Sequence, residues 1–421
     1  MALSRSLIGA SLMAGLFIAG STHSQPAQPP APLPAYRDAT ATNVPIAPDL
    51  HGLDAAVADV DGDGDLDVAI AVEMGLSRLY LNDGTGKLTW KQGVFGWLEH
   101  DNEHVRFADL DKDGHVDVVF ASEEDQRNQI FLGDGKANFR DVSDRLPHQS
   151  QGNGLEIGDV NGDGLPDIVI GNTDEPPRLN PGPVPNPHIS LFLNDPRNPG
   201  HFIDASANVP ASARNTQGIA LADLDKDGDL DMVLANQDPP NVLLFNDGKG
   251  KFTDVSDRME LKVPLETREV HVFDANGDGH LDFAFFNLSS NAGRWDKDPQ
   301  TRLLINDGKG RWKDETATRF PPHQWSSWAA KVVDFNYDGA PDLLVGSIAV
   351  PGLGPRPLRA WKNDGKGHFT DVTESTLPPT MVGRNWSMGS GDLDGDGKTD
   401  VVVGGWGTQV RLLLTRNPSW R

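Results

Sequence analysis

From Ala55 onward the chain alternates short apolar runs with polar, glycine-rich breaks, and no segment sustains the 3.6-residue period of an amphipathic helix. The runs recur in a fixed order. An alternating apolar segment comes first, as in Ala55–Asp59 (AAVAD), Val105–Asp109 (VRFAD) and Ile219–Asp223 (IALAD). A β-branched run follows, as in Val68–Val72 (VAIAV), Ile168–Asn172 (IVIGN) and Val401–Gly405 (VVVGG). The third run, LYLN from Leu79 or LLFN from Leu243, leads into an Asp-Gly hairpin signal: NDGTGK from Asn82, NDGKGK from Asn246, NDGKGR from Asn306 and NDGKGH from Asn363. The fourth opens aromatic-x-Asp, at Phe139, Phe202, Phe252, Trp312 and Phe369. Four antiparallel strands per unit predict the blade of a β-propeller.

The break between the first two runs carries the chemistry. It reads D-x-[DN]-x-D-G-x-x-D seven times, starting at Asp59, Asp109, Asp159, Asp223, Asp274, Asp334 and Asp392. Alternate acidic side chains converge only if the backbone curls, and a hard divalent cation then compensates their repulsion. Calcium, which takes six to eight oxygens in irregular geometry, suits such a loop better than magnesium. The expected ligands sit at loop positions one, three, five, seven and nine. They are Asp59, Asp61, Asp63, Asp65 and Asp67; Asp109, Asp111, Asp113, His115 and Asp117; Asp159, Asn161, Asp163, Leu165 and Asp167; and Asp223, Asp225, Asp227, Asp229 and Asp231. The remaining three loops offer Asp274, Asn276, Asp278, His280 and Asp282; Asp334, Asn336, Asp338, Ala340 and Asp342; and Asp392, Asp394, Asp396, Lys398 and Asp400. Position seven varies freely, which is what a backbone-carbonyl ligand predicts. Position six is always glycine, from Gly64 to Gly397, where a sharp turn needs positive φ.

The termini suggest how the array ends. After the seventh unit's second strand and the short connection WGTQV only RLLLTRNPSWR remains, while the fourth-strand pattern YRDAT (Tyr36–Thr40) stands alone before the first loop. Joined, they complete a seventh blade, and a ring closed in this way leaves no open sheet edge. The expected fold is all-β: a seven-bladed propeller over residues 36–421, closed by the N-terminal strand.

Composition refines the picture. Arg5, the apolar run Leu7–Gly20 and the small residues around Ala19, Ser21 and Ser24 read as a signal peptide over residues 1–24, followed by a proline-rich spacer over 25–35. Cysteine is absent, so neither disulfides nor a lipoprotein anchor is available. A secreted, periplasmic or cell-surface location is expected, with no membrane insertion after cleavage. The formal charge of −24 argues against nucleic acid as a partner. Of the 61 acidic residues, 25 lie at loop positions one, three, five and nine, so most of the excess charge is compensated if calcium is bound.

The seven loops with their flanking strands resemble FG-GAP (VCBS-type) repeats, the unit of the integrin α-subunit propeller. The resemblance covers Tyr36 to Arg421 and implies calcium held between the first two strands of each blade, on one face of the disc. The literal Phe-Gly-Gly-Ala-Pro string is missing, and all seven units carry loops where integrins use only some, so integrin partners are not implied.

Function is expected opposite the loops. Insertions at Thr173–Pro187, Leu288–Gln300 and Ile348–Pro357 fall in the connection between second and third strands. Six residues before each loop stand Leu53, Glu103, Asn153, Gln217, Arg268, Trp328 and Trp386, expected to ring the channel mouth; Glu103, Arg268, Trp328 and Trp386 are the candidate ligand face. Ten tryptophans, among them Trp97, Trp295, Trp325 and Trp406, invite stacking on sugar rings. The expected function is an adhesion or interaction module for an extracellular protein or polysaccharide, acting as a monomer. The rival reading is a polysaccharide lyase or other carbohydrate-active enzyme using Arg268, Glu269, His271 and Lys331 for proton transfer and carboxylate neutralisation. His100 and His104 in HDNEH form a weaker metal pattern.

Calcium at these loops predicts a large rise in melting temperature when the ion is restored after EGTA treatment, with several ions per chain by metal analysis. The loops with Asn161, Asn276 or Asn336 carry one charge fewer and should fill last in a site-resolved titration.

Overall fold

In the computed structural model, placement is described for residues 35–416 apart from 125, 147–148, 175–187, 289–299, 324 and 350–353. The segments 1–24 and most of 25–35 read above as signal peptide and spacer lie outside the described residues. Seven four-stranded antiparallel sheets follow one another in chain order. The first pairs Gly52–Ala58, Asp67–Val72, Arg78–Asn82 and Leu88–Lys91; the fourth pairs Thr216–Ala222, Asp231–Asn236, Val242–Asn246 and Phe252–Asp254. Extra short strands join the pattern at two places: Gln126–Arg127 with Gln149–Ser150, and Gly354–Pro357 with Val382–Gly383.

The first strands pack against one another all the way round, and that of the seventh blade, Asn385–Gly391, lies against that of the first. They line a central channel. The ring is closed as the termini suggested, with Tyr36–Asp38 pairing antiparallel to Arg411–Thr415 in the register Tyr36 to Thr415 and Asp38 to Leu413. A shared capping device confirms that Tyr36–Asp38 is a fourth strand like the others. In blades two to six the aromatic-x-Asp aspartate accepts the N–H two residues on, and the Ser or Thr there accepts a third-strand N–H: Asp141 and Ser143 reach Ile130, and Asp371 and Thr373 reach Ala360. Asp38 and Thr40 do the same to Leu412. These turns initiate one helical turn of three or four residues, the only helix among the described residues.

The core is distributed. Each second strand is buried on both faces, and its alternate side chains enter the two flanking interfaces. Val68, Ile70 and Val72 pack with Leu412 and Leu414 of the seventh blade, while Ala69 and Ala71 pack with Val118 and Phe120 of the second. Seven such apolar clusters fill the seven gaps between blades. This explains why the second runs read as continuous β-branched sequence.

Every first strand carries a β-bulge at the same place, between Gly52 and Asp54, Asn102 and His104, Gly152 and Gly154, Thr216 and Gly218, Thr267 and Glu269, Ser327 and Ala329, and Asn385 and Ser387. The extra residue is one of the seven already singled out: Leu53, Glu103, Asn153, Gln217, Arg268, Trp328 or Trp386. A bulge re-aims the side chain it carries.

Tyr36 is fully buried in the cluster that joins the sixth and seventh blades. Truncation by Tyr36→Ala should cost about 3–5 kcal/mol, read as a lowered denaturant midpoint. A midpoint within error of the unsubstituted protein would mean that the N-terminal strand does not close the ring.

Candidate metal loops and central channel

Because each first strand runs toward its acidic loop, all seven loops emerge on one face of the disc. Their curl needs two left-handed residues. Position six is glycine throughout, with φ near +94° at Gly64 and +99° at Gly228 and open space where a Cβ would stand, so conformation rather than crowding selects it. Position four is also left-handed, with glycine in four loops but Lys112, Lys226 and Tyr337 in the others.

The backbone orients the carboxylates. Asp59 accepts the N–H groups of Gly62 and Gly64, Asp61 that of Asp63, and Asp63 that of Asp65. The ninth-position residue sits apart from this exposed curl. Asp67, Asp117, Asp167, Asp231, Asp282, Asp342 and Asp400 are all essentially buried. Asp67 accepts Val60 N–H at 3.2 Å from its own loop and Asn82 N–H at 2.9 Å from the third strand. The same double contact holds at Asp117, Asp167, Asp231, Asp282 and Asp400. At Asp342 only the third-strand contact, from Asn363, is made. Burial pushes these carboxyls up, to about 6 at Asp400 and about 7 at the other six, against the backbone N–H bonds that favour the ion.

Carboxylate oxygens from positions one, three and nine come within 4.8 Å of one another in four loops: Asp59, Asp61 and Asp67; Asp109, Asp111 and Asp117; Asp223, Asp225 and Asp231; Asp392, Asp394 and Asp400. These are the loops with Asp at position three. In Asp159–Asp167, Asp274–Asp282 and Asp334–Asp342 an Asn amide takes that place. Position-seven side chains point elsewhere: Asp65, His115, Asp229 and His280 lie against the hairpin glycines Gly84, Gly135, Gly248 and Gly308. The donor set is all oxygen, acidic and partly buried, which fits a hard cation such as calcium.

The asparagine that ends the third strand, in an NDG hairpin or at Asn194 in NDP, has a second role that the hairpin signal concealed. Its side-chain amide donates to a loop carbonyl of the preceding blade: Asn82 to Leu393, Asn194 to Leu110, Asn246 to Val160 and Asn363 to Ala275, at 2.7–2.8 Å. A two-residue turn preference does not reveal a partner 84–88 residues away or, for Asn82 across the ring closure, 311 away.

All seven bulge residues surround the narrow end of the channel, opposite the loops, where space for about one water remains. Trp328 and Trp386 stack at 4.0 Å with their planes 5° apart, and Trp406 stacks on Trp386. Arg268 covers Trp328 at 4.4 Å and Arg384 covers Trp406. Leu53, Leu288 and Ile348 complete this plug, and Trp386 is buried within it. Its rings are therefore occupied by one another. Trp325 packs with Trp361 and His323, Trp97 is 68% exposed, and Trp295 lies outside the described residues. Burial raises Glu103 well above the usual carboxylate range, with Glu123, Asp101 and Glu73 adding to the shift.

Below the plug the channel widens into a cavity of about 520 Å³ that reaches Leu281 in the fifth loop. On one wall Arg106 donates to Asp54 at 2.6 Å and to Glu156 at 2.8 Å, bridging blades one, two and three, and His104 lies 3.2 Å from Asp54. Burial works to raise the Asp54 carboxyl, but the Arg106 charge and bonds from His104 and Val105 hold it well below its usual range. On the opposite wall His271 contacts Glu269 and the Ala330 carbonyl, each at 3.1 Å. Of the four suggested catalytic residues, Glu269, His271 and Lys331 share this cavity, whereas Arg268 stands in the plug, paired with Glu266. Three of the four thus share one compartment, with Lys331 as its cation, and only Arg268 stands apart. His100 and His104 do not converge either: His104 faces Asp54, and His100 bridges to Gly75.

The FG-GAP-like repeat model matches residues 59–120, 109–170, 223–285, 289–345 and 348–403, together more than half of the chain. The protein belongs to the FG-GAP repeat β-propellers. It is similar to cartilage acidic protein 1 of Xenopus tropicalis, 24% identical over 296 residues covering 63% of this chain and 41% of that protein. It is similar also to the Homo sapiens protein of that name, 30% identical over 173 residues covering 39% of this chain and 24% of that one. The chain thus spans less than half the length of these curated relatives. Among solved structures, BBS1N crystallised in complex with ARL6DN covers 92% of this chain and 99% of its own, with a TM-score of 0.54 at 12% identity, a likeness of fold alone.

The ninth-position carboxyls set a pH dependence. Their folded pKa is raised, so in metal-free protein they favour folding below about pH 4 and lose that contribution as pH rises through about 7. Metal-free protein should melt several degrees lower at pH 8 than at pH 5, whereas calcium, which binds the ionised form, should flatten or invert the trend. Parallel pH profiles with and without calcium would contradict this.

Proposed function

We propose that the protein is a secreted, calcium-loaded propeller that binds an extracellular protein or glycan on the face opposite its acidic loops. The observation that carries this reading is the placement of exposed apolar side chains. Of the eight large ones that stand exposed among the described residues, six, namely Ile46, Met74, Trp97, Leu98, Val263 and Val382, lie in connections on that face. Single exposed apolar residues are ordinary, but a contiguous group of them marks a partner site. Trp97 and Leu98, 68% and 77% exposed, are adjacent, and Met74 neighbours Gly75, which bridges to His100 in the same segment.

Calcium supports the reading by fixing the opposite face. Seven acidic loops without counter-ions would repel one another, and filling them leaves a rigid disc whose variable connections are free to diversify. Secretion is inferred from the N-terminal apolar run, and millimolar extracellular calcium would fill even weak sites. The relatives' name, with its reference to cartilage, is in keeping with an extracellular setting.

The test is solid-phase binding of the calcium-loaded protein to a panel of immobilised extracellular matrix proteins and glycans. The expected result is one class of ligand whose binding falls at least roughly tenfold in Trp97→Ala and Leu98→Asp, with the melting temperature unchanged. No binding across the panel, or binding indifferent to both substitutions, would overturn the proposal. N-terminal sequencing of protein recovered outside the cell should begin near Gln25.

A further inference from the structure

The central cavity is independent of the exposed connections, and its chemistry is specific. It is a blind well: the tryptophan plug closes one end, so a polymer cannot thread it and only a small molecule or a chain end can enter. A volume of about 520 Å³ is within the range of small-molecule sites.

Its charges are not equivalent. Arg106 is saturated by Asp54 and Glu156, and His271 is held by Glu269 and a backbone carbonyl. Lys331 lines the same cavity, yet among the described residues its ammonium makes no ion pair or hydrogen bond. An ammonium without a counter-charge in a confined, partly desolvated well attracts a carboxylate. The rest of the polar wall is mostly acceptor: the carboxylates of Glu156, Glu269 and Asp54, with the His104 ring and the Ser390 hydroxyl beside them. Acceptors suit a ligand rich in hydroxyl donors. With Arg106 committed to Asp54 and Glu156, a single free ammonium matches one carboxylate rather than a dianion such as a phosphate ester. Toward the loop end, Val57, Phe107, Leu221 and Val272 supply an apolar collar for the carbon skeleton.

We infer that the loop-side well of the central channel is a binding site for a small polyhydroxylated monocarboxylate, such as a sugar acid, with Lys331 receiving the carboxylate. Blade four contributes Gly218 and Ala220 at the polar level of the wall, and blade seven Gly389. These small residues leave the room between the Arg106 wall and the Lys331 wall.

The experiment is calorimetric titration of the full, calcium-saturated protein with glucuronate, and with glucose as the neutral comparator. Saturable glucuronate binding is expected, with glucose at least roughly tenfold weaker. Lys331→Met should weaken glucuronate binding at least roughly tenfold, and Lys331→Arg should largely preserve it, both with unchanged calcium-dependent melting. Absence of saturable binding at about 10 mM glucuronate, equal affinity for glucose, or full affinity in Lys331→Met would each overturn the assignment.

Discussion

Each blade depends on one buried carboxylate. The ninth-position aspartate lies beneath the acidic curl and, in six blades of seven, joins two chain segments by accepting an N–H from its own loop and another from the third strand. A charge in that position is costly unless compensated, and backbone donors compensate only part of it. A divalent ion above the curl would complete the compensation. The acidic loop is therefore the point at which first, second and third strands are held together, and it is more than an attachment on a finished propeller.

The same point couples blades to one another. The third-strand asparagine whose N–H reaches the ninth aspartate sends its side-chain amide to the preceding blade's loop, so four interfaces carry a polar latch beside the apolar clusters. Loop geometry and ring geometry are thereby linked. The apolar clusters supply most of the burial, and the latches fix the blades' register about the axis.

Opposite the loops the bulge takes over. By turning one residue per first strand into the channel, it lets unlike side chains meet: an Arg over a Trp pair, a Leu against them, and acids and amides on the other side. The result seals that end, which separates the exposed connections from the charged well. Two surfaces with different chemistry, one apolar and open and one polar and enclosed, can then serve different ligands without interfering.

Much of this was legible in the sequence. Seven D-x-[DN]-x-D-G-x-x-D loops, strands of period two and an orphan YRDAT determine a closed seven-bladed ring, because a local turn rule repeated at regular spacing leaves few ways to bury the β-branched runs. The register of Leu53, Glu103, Asn153, Gln217, Arg268, Trp328 and Trp386 at one channel end was also legible, since position relative to a fixed loop sets height along the strand. What occupies these side chains was not. Trp328 and Trp386 looked like free platforms, yet they stack on each other, and Arg268 was grouped with Lys331, from which the bulge separates it. The orphan amine of Lys331 and the inter-blade reach of Asn82 likewise depend on residues distant in the chain. The sequence by itself determined the fold and the acidic loops, because short-range periodicity encodes them; only the tertiary structure decided which side chains satisfy one another, because seven strands meet at the axis and none of them records its neighbours.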